Sequence, residues 1–216
     1  MKIAVIDYGL GNTKSICSAL QKSGADVCLT NSRDKRLLSD GAILPGVGAF
    51  AHGMDRLISQ KIDILIREFV STRKPFLGIC LGMQMLFDRS TEFGITDGLG
   101  LIAGQVQCLE RFDDSSEKLP HVSWNEISTA RMSDWNGTIL ESVESGEDMY
   151  FVHSYYAKPT NQCDILSTSM YSGHEYCSTV KHNNIYGCQY HPEKSAVAGL
   201  RIIKNFTHIC MRKHGS

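Results

Sequence analysis

The chain has 216 residues, 42% of them apolar and 21% charged, with a formal net charge of -1. That length and apolar content support a sizeable core without disulfide or metal staples and exclude a disordered chain. The near-neutral balance excludes the basic footprint of a nucleic-acid binder.

Residues 3–6 open the chain as a short apolar strand closed by Asp7, too short to span a membrane and without the pattern of a signal peptide. Asp7-Tyr8-Gly9-Leu10-Gly11-Asn12 follows. Its glycines hint at a phosphate loop, but the P-loop frame is absent and Lys14 stands where a dinucleotide loop needs its third glycine, so a nucleotide site is rejected. Residues 42–44 form the next apolar run, which turns out through Pro45-Gly46-Val47-Gly48-Ala49-Phe50. A Pro-Gly-x-Gly turn can aim backbone N–H groups at an oxyanion; taken alone it is equally an ordinary strand-to-helix turn. Ile58, Ile62, Leu65, Ile66 and Phe69 then recur at helical spacing.

The strand at 76–79 runs directly into Gly78-Ile79-Cys80-Leu81-Gly82-Met83-Gln84, with a helical pattern after it. This is a nucleophile-elbow arrangement with Cys in place of Ser. A sharp turn strains the backbone at the nucleophile, and flanking glycines allow the close approach. A helix N-terminus aimed at Cys80 would favour its thiolate. The bland alternative is a buried cysteine at a strand end.

From about 103 to 190 the pattern changes to shorter strands, at 149–152, 165–167 and 185–189, with few helix signals, so part of the sheet is expected to be antiparallel. The polar stretch 111–118 is the best loop candidate. Leu119-Pro120-His121-Val122-Ser123-Trp124-Asn125 and Tyr150-Phe151-Val152-His153-Ser154-Tyr155-Tyr156 each carry a histidine, read as packed loop residues with satisfied side chains. No zinc spacing is present, and the eight cysteines include no Cys-x-x-Cys pair, which points to a reducing, cytoplasmic setting. Gln189-Tyr190-His191-Pro192-Glu193-Lys194-Ser195 supplies what Cys80 needs: a base, His191, and an orienting carboxylate, Glu193, two residues on across a stiff proline. Alone, His-Pro-Glu is a turn. A last helix places Val197, Leu200, Ile203, Phe206 and Cys210 on one face, with Ser195 as its N-cap. Alternating strands and helices predict an α/β sheet, and four of these segments follow strands, which puts them on one rim.

Together, Asp7-Tyr8-x-x-Gly11-Asn12, Leu44 to Phe50, Gly78 to Gln84, Pro120-His121-x-x-Trp124-Asn125, Tyr150 to Tyr155 and His191-Pro192-Glu193-Lys194-Ser195 resemble the class I (triad) glutamine amidotransferases over nearly the whole chain. Within that family they resemble the glutaminase subunits of imidazole glycerol phosphate synthase. Met83 and Lys194 separate the chain from glutaminase components of anthranilate synthase type. The resemblance implies one domain over residues 1–216, with an open mixed, mostly parallel sheet flanked by helices. It implies hydrolysis of L-glutamine to glutamate and ammonia through a thioester on Cys80, with His191 and Glu193 completing the triad. Val47, Gly48 and Leu81 match oxyanion positions. Gln84, Ser154 and Tyr155 match positions that hold glutamine. Asn12, Val122, Trp124, Tyr150 and Lys194 match positions facing a cyclase subunit, the expected heterodimer partner, which uses the ammonia in histidine biosynthesis. No metal or organic cofactor is implied, and neither membrane nor nucleic acid.

One position departs from the pattern: Ser123 stands where the family has Gly before Trp, which is expected to add a side chain at the partner face. Three other readings stay open. A paralogous branch feeds ammonia into surface-polysaccharide sugar amidation. A stand-alone cysteine hydrolase would act on glutamyl substrates. A binding subunit would carry a vestigial site.

Overall fold

The computed structural model describes residues 1–30, 38–109 and 119–212. The stretch 111–118, read as a loop, lies outside the described residues. Nine strands form one sheet in the order β2-β1-β3-β4-β13-β12-β11-β8-β9. Its parallel half consists of β2 (Asp26–Thr30), β1 (Lys2–Ile6), β3 (Gly41–Leu44), β4 (Phe76–Ile79) and β13 (Ile185–Cys188). From β13 outward the pairing is antiparallel, through β12 (His174–His182), β11 (Ile165–Tyr171), β8 (His121–Thr129) and β9 (Glu147–His153). A second sheet, β10-β7-β5-β6, comprises Tyr155–Pro159, Ile102–Cys108, Phe87–Ser90 and Thr96–Asp97 in that order. The strands of the antiparallel half, expected to be shorter, run 7 to 9 residues against 4 or 5 in the parallel half, and their alternating pattern marks the change of pairing.

Every residue of β3, β4 and β13 is buried, as expected of strands covered on both faces. Alternate side chains divide between two cores. Ile3, Val5, Ile43 and Leu77 pack with Ile16 and Leu20 of α1 (Thr13–Lys22) and with Ile202, Ile203 and Phe206 of the C-terminal helix. Ala4, Ile6, Ala42 and Leu44 pack with Phe50, Met54 and Leu57 of α2 (Phe50–Ser59) and with Ile62, Ile66 and Phe69 of α3 (Ile62–Ser71). No helix among the described residues is long and apolar enough to cross a membrane.

Three local expectations are corrected. The apolar pattern from Ile58 to Phe69 is broken into two helices at Lys61, which takes φ 55°, and Ile58 lies exposed at the end of the first. After α4 (Leu81–Gln84), a single turn, the C-terminal helix α5 (Ala196–Met211) buries Ala198, Gly199, Ile202, Ile203, Phe206 and Cys210, while Val197 and Leu200 face outward. The reason is close approach: a side chain at Gly199 would meet the Pro192 carbonyl, so the small pair Ala198-Gly199 faces inward. Ser195 sits at the N-cap of α5, but its side chain makes no cap bond. Its hydroxyl donates to the His191 carbonyl (2.7 Å) and accepts from the Tyr150 N–H (3.0 Å).

Candidate active site

The carboxyl ends of β1, β3, β4 and β13 lie side by side, with Leu44 opposite Gly78 and Ile79 opposite Cys188. The four turns picked out in the sequence therefore emerge on one rim, where open α/β sheets place their sites. Cys80 sits at the tip of one with φ 54° and ψ -114°, a strained conformation for a residue with a side chain. It is held there by its N–H on the Cys188 carbonyl (2.7 Å) and by its own carbonyl, which accepts from the Gln84 N–H (3.1 Å). A side chain at Gly82 would strike the Leu44 carbonyl oxygen, so glycine is required where the elbow crosses β3. Because α4 is one turn long, its dipole is small, and the strong helix N-terminus expected at Cys80 is not there.

His191 is anchored through its backbone. Its N–H donates to the Tyr150 carbonyl (2.9 Å), and its carbonyl takes the Ser195 hydroxyl. Its Nδ1 meets Glu193 Oε1 at 3.0 Å; the His191 side chain is 5% exposed and that of Glu193 wholly buried. The imidazole is also hydrogen-bonded to Cys80, which leaves Nε2 as the atom facing the sulfur. Burial pushes the His191 pKa down, but the bonds to Cys80 and Glu193 and their charges outweigh it and raise the value to about 10.

Cys80 and His191 open onto a cavity of about 310 Å³, which Val47, Gly48, Leu81, Gln84, Ser154 and Tyr155 also line. All the expected substrate and oxyanion residues are thus brought together. Gln84 is buried, and its amide nitrogen donates to the Tyr155 carbonyl (2.8 Å) and to Gln189 Oε1 (3.0 Å), so it braces the wall. Gly48 takes φ 98° beside exposed Val47. The segment rejected as a phosphate loop backs this turn: Gly11 abuts Pro45, and buried Tyr8 sets its hydroxyl against Gly46.

The sequence did not point to several residues around Cys80 and the cavity. Gln189 approaches Cys80 Sγ with its amide nitrogen at 3.9 Å, and the Val152 carbonyl faces the same sulfur at 3.8 Å. Glu92 lines the cavity while its Oε2 accepts the Phe50 N–H (2.6 Å), capping α2, whose N-cap residue Ala49 has no side chain able to do so. Phe93 meets Tyr155 edge-on at 6.5 Å. No spacing rule links Glu92 or Phe93 to Cys80. His153, read as a packed loop residue, ends β9 and lines the cavity; His121 begins β8 in the core.

Among the expected partner-facing residues, Val122 and Trp124 are half-exposed on the outward face of β8. Trp124 lies opposite Tyr150, their rings edge-on at 6.0 Å, and Lys194 Nζ stands 5.6 Å over the Tyr150 ring. Asn12 caps α1 through its Oδ1 on the Ser15 N–H (3.3 Å). Ser123 corrects an expectation. It shares the face of β8 with His121, and its hydroxyl meets His121 Nε2 at 2.7 Å, so it leaves the outward surface unchanged.

The family model described as glutamine amidotransferase class-I matches residues 4–210. The chain belongs to the class I glutamine amidotransferases. This amidotransferase is 43% identical over 210 residues to imidazole glycerol phosphate synthase subunit HisH 1 of Legionella pneumophila (strain Lens), covering 96% of this chain and 99% of that one. It is 42% identical over 205 residues to imidazole glycerol phosphate synthase subunit HisH of Bacillus cereus (strain B4264), with 94% and 93% covered. Among solved structures, the amidotransferase shares its fold with a chain of PurLQS from Thermotoga maritima. The TM-score is 0.67 at 20% identity, over 97% of this chain and 96% of that one.

Proposed function

We propose that this amidotransferase is the glutaminase subunit of imidazole glycerol phosphate synthase, acting as one domain in the cytoplasm. It hydrolyses L-glutamine through a Cys80 thioester and passes ammonia to a cyclase subunit docked over Trp124, Tyr150 and Lys194. The observation that carries the reading is the hydrogen-bonded line of Glu193, His191 and Cys80 at the base of the cavity. The names of the similar chains support the choice of pathway.

In this reading His191 holds the proton taken from the thiol, and the sulfur attacks the side-chain carboxamide carbon of glutamine. The oxyanion is received by backbone N–H groups of Leu81 and of the Val47-Gly48 turn. Collapse of the intermediate breaks the C–N bond, and His191 hands its proton to the leaving ammonia. Water, deprotonated by His191, then attacks the thioester carbon; the C–S bond breaks, the proton returns to sulfur and glutamate departs. Glu193 holds the imidazole in the tautomer that presents Nε2 to the sulfur. Gln84, Ser154 and Tyr155 hold the amino-acid end of glutamine, where the Glu92 carboxylate suits the α-ammonium group. Docking against a cyclase suits the chemistry, because ammonia released into neutral water is protonated and is then no nucleophile.

The test joins turnover with mapping. The complex with a cyclase subunit should release glutamate, Cys80→Ala should abolish this without unfolding the chain, and a glutamine-like electrophile should modify Cys80 alone. Cys108 and Cys163 are exposed but lie outside the cavity, and burial raises the Cys177 and Cys188 thiols, the latter to about 12. Modification of any of these by the glutamine analogue in place of Cys80 would refute the assignment.

A further inference from the structure

His121 and His153 are both buried, at 0% and 6% exposure, and neither belongs to the proposed triad. His121 is clamped between two rings, Tyr171 at 3.9 Å and Phe151 at 5.2 Å. Its Nδ1 lies 3.3 Å from His153 Nε2, and its Nε2 lies 2.7 Å from the Ser123 hydroxyl. His153 Nδ1 in turn lies 2.9 Å from the Tyr155 carbonyl. Burial lowers the pKa of His121 to about 4 and, with the neighbouring charge of His121, that of His153 to about 3, so each neutral ring carries one proton.

The chemistry of the last member fixes the direction of the chain. A carbonyl only accepts, so His153 Nδ1 carries the proton and Nε2 is an acceptor. His121 Nδ1, which also lies 3.3 Å from the Tyr176 hydroxyl, faces that acceptor and carries the proton, which makes His121 Nε2 an acceptor as well. Ser123 is the donor that satisfies it. The Tyr155 carbonyl receives two donors, His153 Nδ1–H and the Gln84 amide at 2.8 Å, which together fix the Ser154-Tyr155 wall of the cavity.

We propose that Ser123 is a positioning residue for the glutamine site, the end donor of a one-way relay through His121 and His153 to the Tyr155 carbonyl. Without the hydroxyl, a buried acceptor on His121 is left bare, and a proton moved to Nε2 would be equally without a partner, so the chain keeps its direction but loses the donor that polarises it. The bond from His153 Nδ1–H to the Tyr155 carbonyl weakens with it, and the wall loosens. Its effect on glutamine rests on the proposed glutaminase function; the relay itself does not.

The experiment compares wild type, Ser123→Ala and Ser123→Thr by 15N NMR of the histidine rings in the purified chain and by glutamine kinetics in the cyclase complex. Wild type should show both rings as Nδ1–H tautomers. Ser123→Ala should keep both tautomers, shift the 15N resonance of His121 Nε2 as it loses its donor, and raise the glutamine KM roughly fivefold, the worth of one lost hydrogen bond, with kcat within about twofold. Ser123→Thr, which keeps the donor, should restore both readings. Should Ser123→Ala fail to fold, Ser123→Cys, a weaker donor of similar size, takes its place. Nε2–H tautomers in the wild type, an unchanged His121 Nε2 resonance or KM in Ser123→Ala, a fall confined to kcat or a threonine variant that behaves like alanine would each overturn the relay. A wild-type complex that releases no glutamate contradicts the proposed function instead, and the ring tautomers still decide the relay.

Discussion

Glu193 presents one carboxylate oxygen to His191 and buries the other with no hydrogen-bond partner among the described residues. A buried carboxylate in that position is costly unless a positive charge stands beside it, and Glu193 joins Cys80 in raising the His191 pKa to about 10. Glu193→Gln keeps the shape and removes the charge, so the fold should survive while formation of the thioester slows about 10²–10⁴-fold in a stopped-flow or quench assay. The same histidines set the pH profile of stability. His191 gains a proton partner on folding, so its contribution is complete below about 6.5 and is lost as pH rises towards about 10. His121 and His153 stay neutral in the fold down to about 4 and about 3, whereas the unfolded chain protonates them near 6.5, so their contribution is lost as pH falls below that value. Thermal melts across this range should show a maximum near neutrality, and His191→Ala should flatten the alkaline side while leaving the acid side in place. An alkaline slope unchanged in His191→Ala would remove the ion pair.

At the scale of elements, the elbow is held by the meeting of two turns. Gly82 crosses beneath the end of β3 with no room for a side chain, whereas Gly24, with φ 84°, has open space around it. Gly82→Ala should therefore cost roughly 3 kcal/mol in urea unfolding, and Gly24→Ala only ~1 kcal/mol of backbone strain. Equal costs would mean that the crossing is not tight. The parallel strands and their turns were legible because their signals are local: continuous apolar runs, then glycine, proline and one reactive side chain. The two cores were not legible, since the division of Ile3 from Ala4 depends on which helix covers which face. Nor were the tasks of Ser195, Glu92 and Ser123. Ser195 reads as a helix cap, yet its hydroxyl joins His191 to Tyr150, 45 residues away. Glu92 caps a helix that begins 42 residues earlier. Ser123 reads as a surface change, and only the pleat of β8, which alternates His121 and Ser123 inward with Val122 and Trp124 outward, gives its side chain a direction.

On the scale of the whole molecule, the cavity and the outward patch are two faces of the same strands. Tyr150 carries a ring against Trp124 on the surface and a carbonyl that holds the His191 N–H inside; Val152, on the same strand, turns its carbonyl to Cys80. A protein seated on Trp124 therefore presses on the elements that aim the triad. Trp124 is half-exposed, so Trp124→Ala should weaken cyclase binding or coupling far more than it lowers the melting temperature. The Gly46-Val47-Gly48 turn, with two glycines and Val47 exposed, can exchange backbone geometries at low steric cost, and one oxyanion donor gained or lost is worth roughly 10²–10³ in rate. The central measurement is glutamate release by the purified chain, alone and then with a cyclase partner and the acceptor substrate of that partner. Very slow turnover alone and a rise of about 10²-fold or more in the complex is the expected result. Full activity in the isolated chain, unchanged by any cyclase, would contradict the account.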